Sequence, residues 1–282
     1  MRKFAETPAD YGSTAKSRNP GSTPGRTPSM ESPPLHRFLS SVGRVQHHLY
    51  TAVVGLTGVE DGAATKPPDL HINWTPADPV GSAREARRFL LEATLVFAAE
   101  SISEYAMGVL RYRHQEPNGD RSDRIRSLGA VDPSYLGVAP LIVSHWRNRI
   151  VHPKSKARLT NGERDLLRSQ EATIFSEFKH LDVDALLTHF DNNRPALKDV
   201  TVLMAMTIRF ARLIDAKLAA PSSARDVKTW LVAEELLETV VRLEKESKNG
   251  GSPDPRARAK QYLITEAPTL ADPYYEYGLS DP

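Results

Sequence analysis

The longest unbroken helical pattern in the chain constrains its fold more than any other feature. From Ser82 to about Arg113, Leu91, Leu95, Ala98, Ile102, Tyr105 and Val109 recur at steps of three and four residues. That spacing stacks them along one side of an α-helix. About 30 residues at 1.5 Å each make a rod roughly 45 Å long, and one with a single apolar stripe has to be covered by other helices. Ser82-Ala83-Arg84-Glu85 has the form of a capping box and sets the expected start. Glu100 and Glu104 lie one turn apart on a further face, shared with Phe97. Carboxylates in so apolar a helix require a cationic partner, for which an arginine further along the chain is a candidate.

The same period governs the rest of the chain. It runs from Leu35 to about Leu56 through Phe38, Val42, Val45, Leu49 and Val53. It returns from Thr160 to about His180, from Asp182 to Phe190, from Pro195 to Ala220 and from Ser223 to about Lys248. Thr160 with Glu163, and Ser223 with Asp226, mark two of these starts as capped. No stretch alternates with period two, so the expected fold is all-α. Residues 1–33 carry Ser, Thr, Pro, Gly and basic side chains with almost no large aliphatics, the composition of a disordered leader. Residues 34–190 then form the main helical domain, 191–248 a pair of helices packed on it, and 249–282 a flexible tail containing Pro273-Tyr-Tyr-Glu-Tyr277. Gln115 to Asp132 is polar and reads as a mobile loop carrying Arg121, Arg124 and Arg126. Asp132-Pro133 opens the next helix. It must end near His152, because Pro153 disfavours helical geometry in the residue before it.

Composition excludes several classes of function. With no cysteine there is neither a disulfide framework nor thiolate chemistry, and a reducing compartment is expected. No run of about 18 apolar residues is present for a membrane span, and the N-terminus lacks the apolar region of a secretory signal. A cytoplasmic protein is the expectation. Zinc-ligand clusters, Walker loops and nucleophile elbows are absent from the sequence, and adjacent His47 and His48 point too far apart on a helix to share a metal. No cofactor or metal is expected. The net charge is only +2, yet from Arg111 to Arg168 twelve Lys/Arg stand against six Asp/Glu. Such a local basic surface suits a polyanion.

Within that basic window lies Ser144-His145-Trp146-Arg147-Asn148-Arg149-Ile150-Val151-His152-Pro153. Arg147-Asn148-x-x-x-His152 resembles the signature of the HEPN superfamily, Arg-x(4–6)-His with Asn often following the Arg. Members are helical bundles, and many are metal-independent endoribonucleases that work as symmetric dimers, with the motif residues of both protomers meeting in a cleft. The resemblance therefore implies an RNA substrate, a homodimer, and a toxin–antitoxin or phage-defence setting with an antitoxin or defence-system partner. It covers about residues 35–190, with Arg147, Asn148 and His152 as the implied catalytic residues. HEPN toxins silenced by a partner nucleotidyltransferase carry Tyr at the second position after the motif His; here that position is Lys154.

The residue types fit the chemistry. Imidazole exchanges protons near neutrality, and the end of a helix favours a cation. A guanidinium matches phosphate with two parallel donors. Asn148 precedes His152 by one helical turn and can orient it. Glu100, Glu104 and His145 are auxiliary candidates, and Arg149, Lys154, Lys156 and Arg158 are candidates for contacts to RNA. Two other functions fit the same residues: a non-catalytic HEPN module that binds RNA or nucleotide, and a helical scaffold.

Overall fold

The computed structural model describes residues 31–74, 76–113, 115, 118–131, 134–218 and 221–279. Among them every regular element is helical, twelve α-helices and one short 3-10 turn, with no strand. The fold is all-α. The expected leader, up to residue 30, lies outside the described residues, as does Asp132-Pro133.

Helix α1 spans Pro33–Glu60 and α2 spans Pro79–Tyr112. They run antiparallel. Phe38 packs on Tyr105 at 5.4 Å between ring centres, and the Ser41 and Ser101 hydroxyls meet at 2.7 Å. Near the start of α1 the two backbones close up, because Gly108 has no side chain: a Cβ there would stand 2.7 Å from Pro34 Cγ. Ser32 caps α1 by accepting the Leu35 N–H. Its own N–H donates to Asp215 Oδ2 at 3.0 Å and its hydroxyl to Asp215 Oδ1. Helix α2 begins earlier than its sequence signal. Asp78 accepts the Gly81 N–H at 2.9 Å and Pro79 fills the first turn, so Ser82 lies already inside the helix.

The Arg-rich segment expected as a loop is instead helix α3, Arg121–Gly129, closed by a reciprocal Asp120–Asp123 capping box. After the 3-10 turn Tyr135–Gly137 comes α4, Val138–Val151, which starts later than expected and ends where Pro153 requires. Helix α5, Asn161–Ser169, has the expected Thr160–Glu163 box. It breaks at Gln170 into α6, Glu171–Glu177, and the chain then reverses through left-handed Lys179 and His180. Helices α7, Val183–Asp191, and α8, Leu197–Asp215, complete this half. One core joins α1 to α8. Trp146 of α4 is fully buried at its middle, with its ring edge-on to Phe190 of α7 at 5.4 Å. The Tyr105 hydroxyl donates to the Ala211 carbonyl of α8 at 2.7 Å.

Helix α8 thus belongs to the main core, which extends past the expected boundary at 190. The remaining helices are α9, Ala224–Ala233; α10, Leu237–Asn249; α11, Ala257–Glu266; and α12, Pro268–Tyr277. Ser223 caps α9 as expected, but left-handed Glu235 splits the single helix foreseen there. The flexible tail foreseen from 249 is corrected as well. Ala259, Leu263, Ala267, Leu270 and Tyr274 recur at helical spacing and are buried in a second core with Val227, Leu231 and Val240. Burying that stripe offsets the ordering entropy that the Gly, Pro and charge content suggested could not be met. The second core docks on the end of α2, where Tyr112 stacks on Trp230 at 4.3 Å. Glu234 accepts the Tyr112 hydroxyl at 2.6 Å and pairs with Arg37 of α1.

Candidate active site at the end of helix α4

The last turn of α4 brings Arg147, Asn148 and His152 together beside α2. The Asn148 carbonyl accepts the His152 N–H at 2.9 Å, closing the helix, and His152 itself leaves helical geometry before Pro153. The Arg147 guanidinium lies between groups of opposite character. On one side Nε and Nη2 reach Glu100 Oε1 of α2 at 3.1 and 3.0 Å. On the other, Nη1 is 3.4 Å from Asn148 Oδ1 and 3.5 Å from His152 Nε2. The Glu100 contacts are ordinary charge-assisted hydrogen bonds, whereas those to Asn148 and His152 are long. A guanidinium can only donate, so in either contact the oxygen or nitrogen facing it would be the acceptor. Glu100 therefore fixes Arg147, while Asn148 and His152 stand beside it at the longer distances. Arg147 is 20 % exposed, and the His152 side chain faces solvent.

Glu100 holds a second arginine, which the sequence reading assigned to a loop. Arg121, in the first turn of α3, donates from Nη2 to Glu100 Oε2 at 2.6 Å. Two guanidinium groups on one carboxylate leave the cluster net positive. The Asp120-x-x-Asp123 pattern at the start of α3 was the available sign that Arg121 sits on a rigid element.

The other expected residues divide. Glu104, one turn beyond Glu100, is exposed and lines a different groove with His36, Arg37 and Arg44. It is not part of this cluster. His145 is buried, at 5 % exposure, and neither ring nitrogen has a hydrogen-bond partner among the described residues. Burial, assisted by the nearby Arg126 charge, pushes its pKa below the usual imidazole value, so it is a neutral core residue. Arg149 turns to the far side of α4 and lies over the Phe190 ring at 4.0 Å. Lys154, Lys156 and Arg158 are exposed along the connector between α4 and α5, and Arg158 lines a groove with Thr160 and Arg164. Phe97, one turn before Glu100, is 62 % exposed, and Phe89, on the same helix, is 69 % exposed.

Compared with known proteins, the chain matches no family model, no curated protein and no solved structure. Among the described residues no helix is long and apolar enough to cross a membrane, and no three His, Asp or Glu side chains are grouped to hold a metal ion.

Proposed function

We propose that the protein is a metal-independent endoribonuclease of HEPN type. The observation that carries this reading is the gathering of Arg147, Asn148 and His152 around one guanidinium that Glu100 holds in place. Cleavage requires the ribose 2′-oxygen to attack the adjacent phosphorus, the 2′-proton to pass to a base and the 5′-oxygen to leave with a proton. The products are a 2′,3′-cyclic phosphate and a 5′-hydroxyl. Arg147 offsets charge on the phosphoryl oxygens from its Nη1 side, away from Glu100. His152, exposed to solvent, exchanges the proton. Asn148 orients the imidazole or the strand. Exposed Lys154, Lys156 and Arg158 on the connector that follows His152 guide the phosphate backbone.

One histidine in the cluster of each chain is too few for both proton transfers, and a second protomer would supply the other. Exposed Phe89 and Phe97 on the Glu100 helix support such a pairing, since large apolar side chains beside a polar site are normally covered. A toxin–antitoxin or phage-defence role follows from the family resemblance.

The test is cleavage of a mixed RNA in EDTA by wild type, Arg147→Ala and His152→Ala, with product ends identified. Cleavage by wild type alone, giving cyclic phosphate and 5′-hydroxyl ends, is the expected result. Equal activity in both variants would refute the assignment. Salt-dependent RNA binding by folded wild type without products would favour a binding module instead.

A further inference from the structure

Glu100 gives its two oxygens to two different helices. Oε1 faces Arg147 of α4: Nε donates to it at 3.1 Å, and Nη2 stands 3.0 Å from the same atom. Oε2 is taken by Arg121 Nη2 of α3 at 2.6 Å, the shortest of the three contacts. An arginine fork in front of an open carboxylate favours one N–H on each oxygen. Arg147 keeps both on Oε1, and the oxygen it leaves aside is the occupied one. Its Nη1 remains beside Asn148 and His152.

Arg121 has little freedom to leave Oε2. It stands in the first turn of α3, which the Asp120–Asp123 box closes and which joins the first core through Ile125 and Leu128. The chain enters that turn through Gly119 at φ 78°, where residues with a side chain are strained. The Arg121 side chain is 16 % exposed, and Glu100 is its one ion-pair partner among the described residues. Charge acts in the same sense as geometry. One carboxylate against one guanidinium is neutral, and against two it leaves a positive charge for a phosphate.

We propose that Arg121 is a positioning residue of the Arg147 site. By occupying Glu100 Oε2 it holds the Arg147 fork on Oε1 and leaves Nη1 uncompensated toward Asn148, His152 and the RNA phosphate. This rests on the nuclease reading above and adds a residue that acts through Glu100 without touching substrate. Without Arg121 the fork closes on both oxygens, and the guanidinium shifts along the carboxylate while Glu100 neutralises it.

The experiment is single-turnover cleavage of a saturating RNA in EDTA by the full chain, beside a thermal melt of the same preparations. Arg121→Met keeps the unbranched stem without the fork, and Arg121→Lys returns a cation to Oε2. Arg124→Met removes the same charge from α3 at a side chain that donates to the Gly119 carbonyl and makes no contact with Glu100. Arg121→Met is also made in the Glu100→Gln background. The expected rate is about tenfold lower in Arg121→Met, as for a displacement of Arg147 well under 1 Å. It recovers in part in Arg121→Lys and is unchanged in Arg124→Met. In Glu100→Gln the further loss from Arg121→Met is less than about twofold, because the group it works through is gone. Cleavage by wild type with an equal rate in Arg121→Met overturns the positioning role and leaves the nuclease reading standing. So does an equal loss in Arg124→Met, a loss no larger than the loss of folded protein, or a tenfold loss that persists in Glu100→Gln. No cleavage by wild type overturns both readings.

Discussion

Glu100→Gln separates the stability of this fold from the function assigned to it. The carboxylate accepts hydrogen bonds from Arg147 Nε at 3.1 Å and Arg121 Nη2 at 2.6 Å, and Arg147 Nη2 stands 3.0 Å from it as part of the ion pair. It is also 45 % exposed, so water competes for it and screens both pairs. At exposed sites each pair contributes about 0.5 kcal/mol, giving roughly 1 kcal/mol for the two. Loss of that amount lowers the melting temperature of a chain this size by about 2–4 °C. Catalysis should suffer far more. Without the carboxylate the Arg147 guanidinium swings freely, and a misplacement near 1 Å costs on the order of a hundredfold in rate. The expected outcome is kcat down about 10–100-fold with KM unchanged or lower, since a negative charge has left the RNA surface. Glu100→Asp should recover part of kcat. The assay is single-turnover RNA cleavage beside a thermal melt of the same preparations. Full activity in Glu100→Gln, or a loss of activity no larger than the loss of folded protein, would refute the positioning role.

Three further outcomes follow from the packing. His145 has a folded pKa below its ordinary 6.5, burial being the largest cause. Between the lowered value and 6.5 the unfolded chain binds more protons, so stability is lost as pH falls through that window. Urea midpoints at about pH 7.5 and about pH 5.5 should differ less in His145→Leu than in wild type; equal differences would contradict the neutral buried state. Gly108→Ala drives a Cβ into the rigid Pro34 ring and must part α1 from α2, at about 1–3 kcal/mol, seen as a melting temperature several degrees lower. Tyr274→Ala removes a fully buried ring whose hydroxyl meets Glu244 at 3.2 Å, and should cost about 3 kcal/mol or more by denaturant titration. No change there would mean that α12 does not pack as described.

The sequence reading succeeded where a side chain answers to its near neighbours. The apolar period of α1 and α2, the Thr160–Glu163 box and the stop before Pro153 are all local, and all were legible. The Ser82 box failed because a stronger start, Asp78-Pro79, precedes it by one turn and no residue between them breaks the helix. The breaks at Gln170 and Glu235 follow from packing across the bundle, which a period cannot reveal. Residues 257–277 were misjudged on composition, although Leu263, Leu270 and Tyr274 held the necessary spacing. At the site, a cationic partner for Glu100 was foreseen and is Arg147. Arg121 was missed, because its approach to Glu100 depends on how α3 lies across α2. Nor could the sequence separate Glu104 from Glu100, since one helical turn carries Glu104 into another groove.

Ser32 and Asp215 stand 183 positions apart, yet their pairing seals the first turn of α1. During synthesis the α1–α2 hairpin emerges early, and the carboxylate that completes it comes at the very end of the segment that forms the first core. Helix α8 also supplies the Ala211 carbonyl for Tyr105, so the hairpin waits on the same helix for two of its buried polar contacts. A nascent chain stalled before α8 would present an open amide end and an uncovered apolar face to the chaperones and proteases that meet it. Completion of α8 is thus the step at which a growing chain can become a protected one.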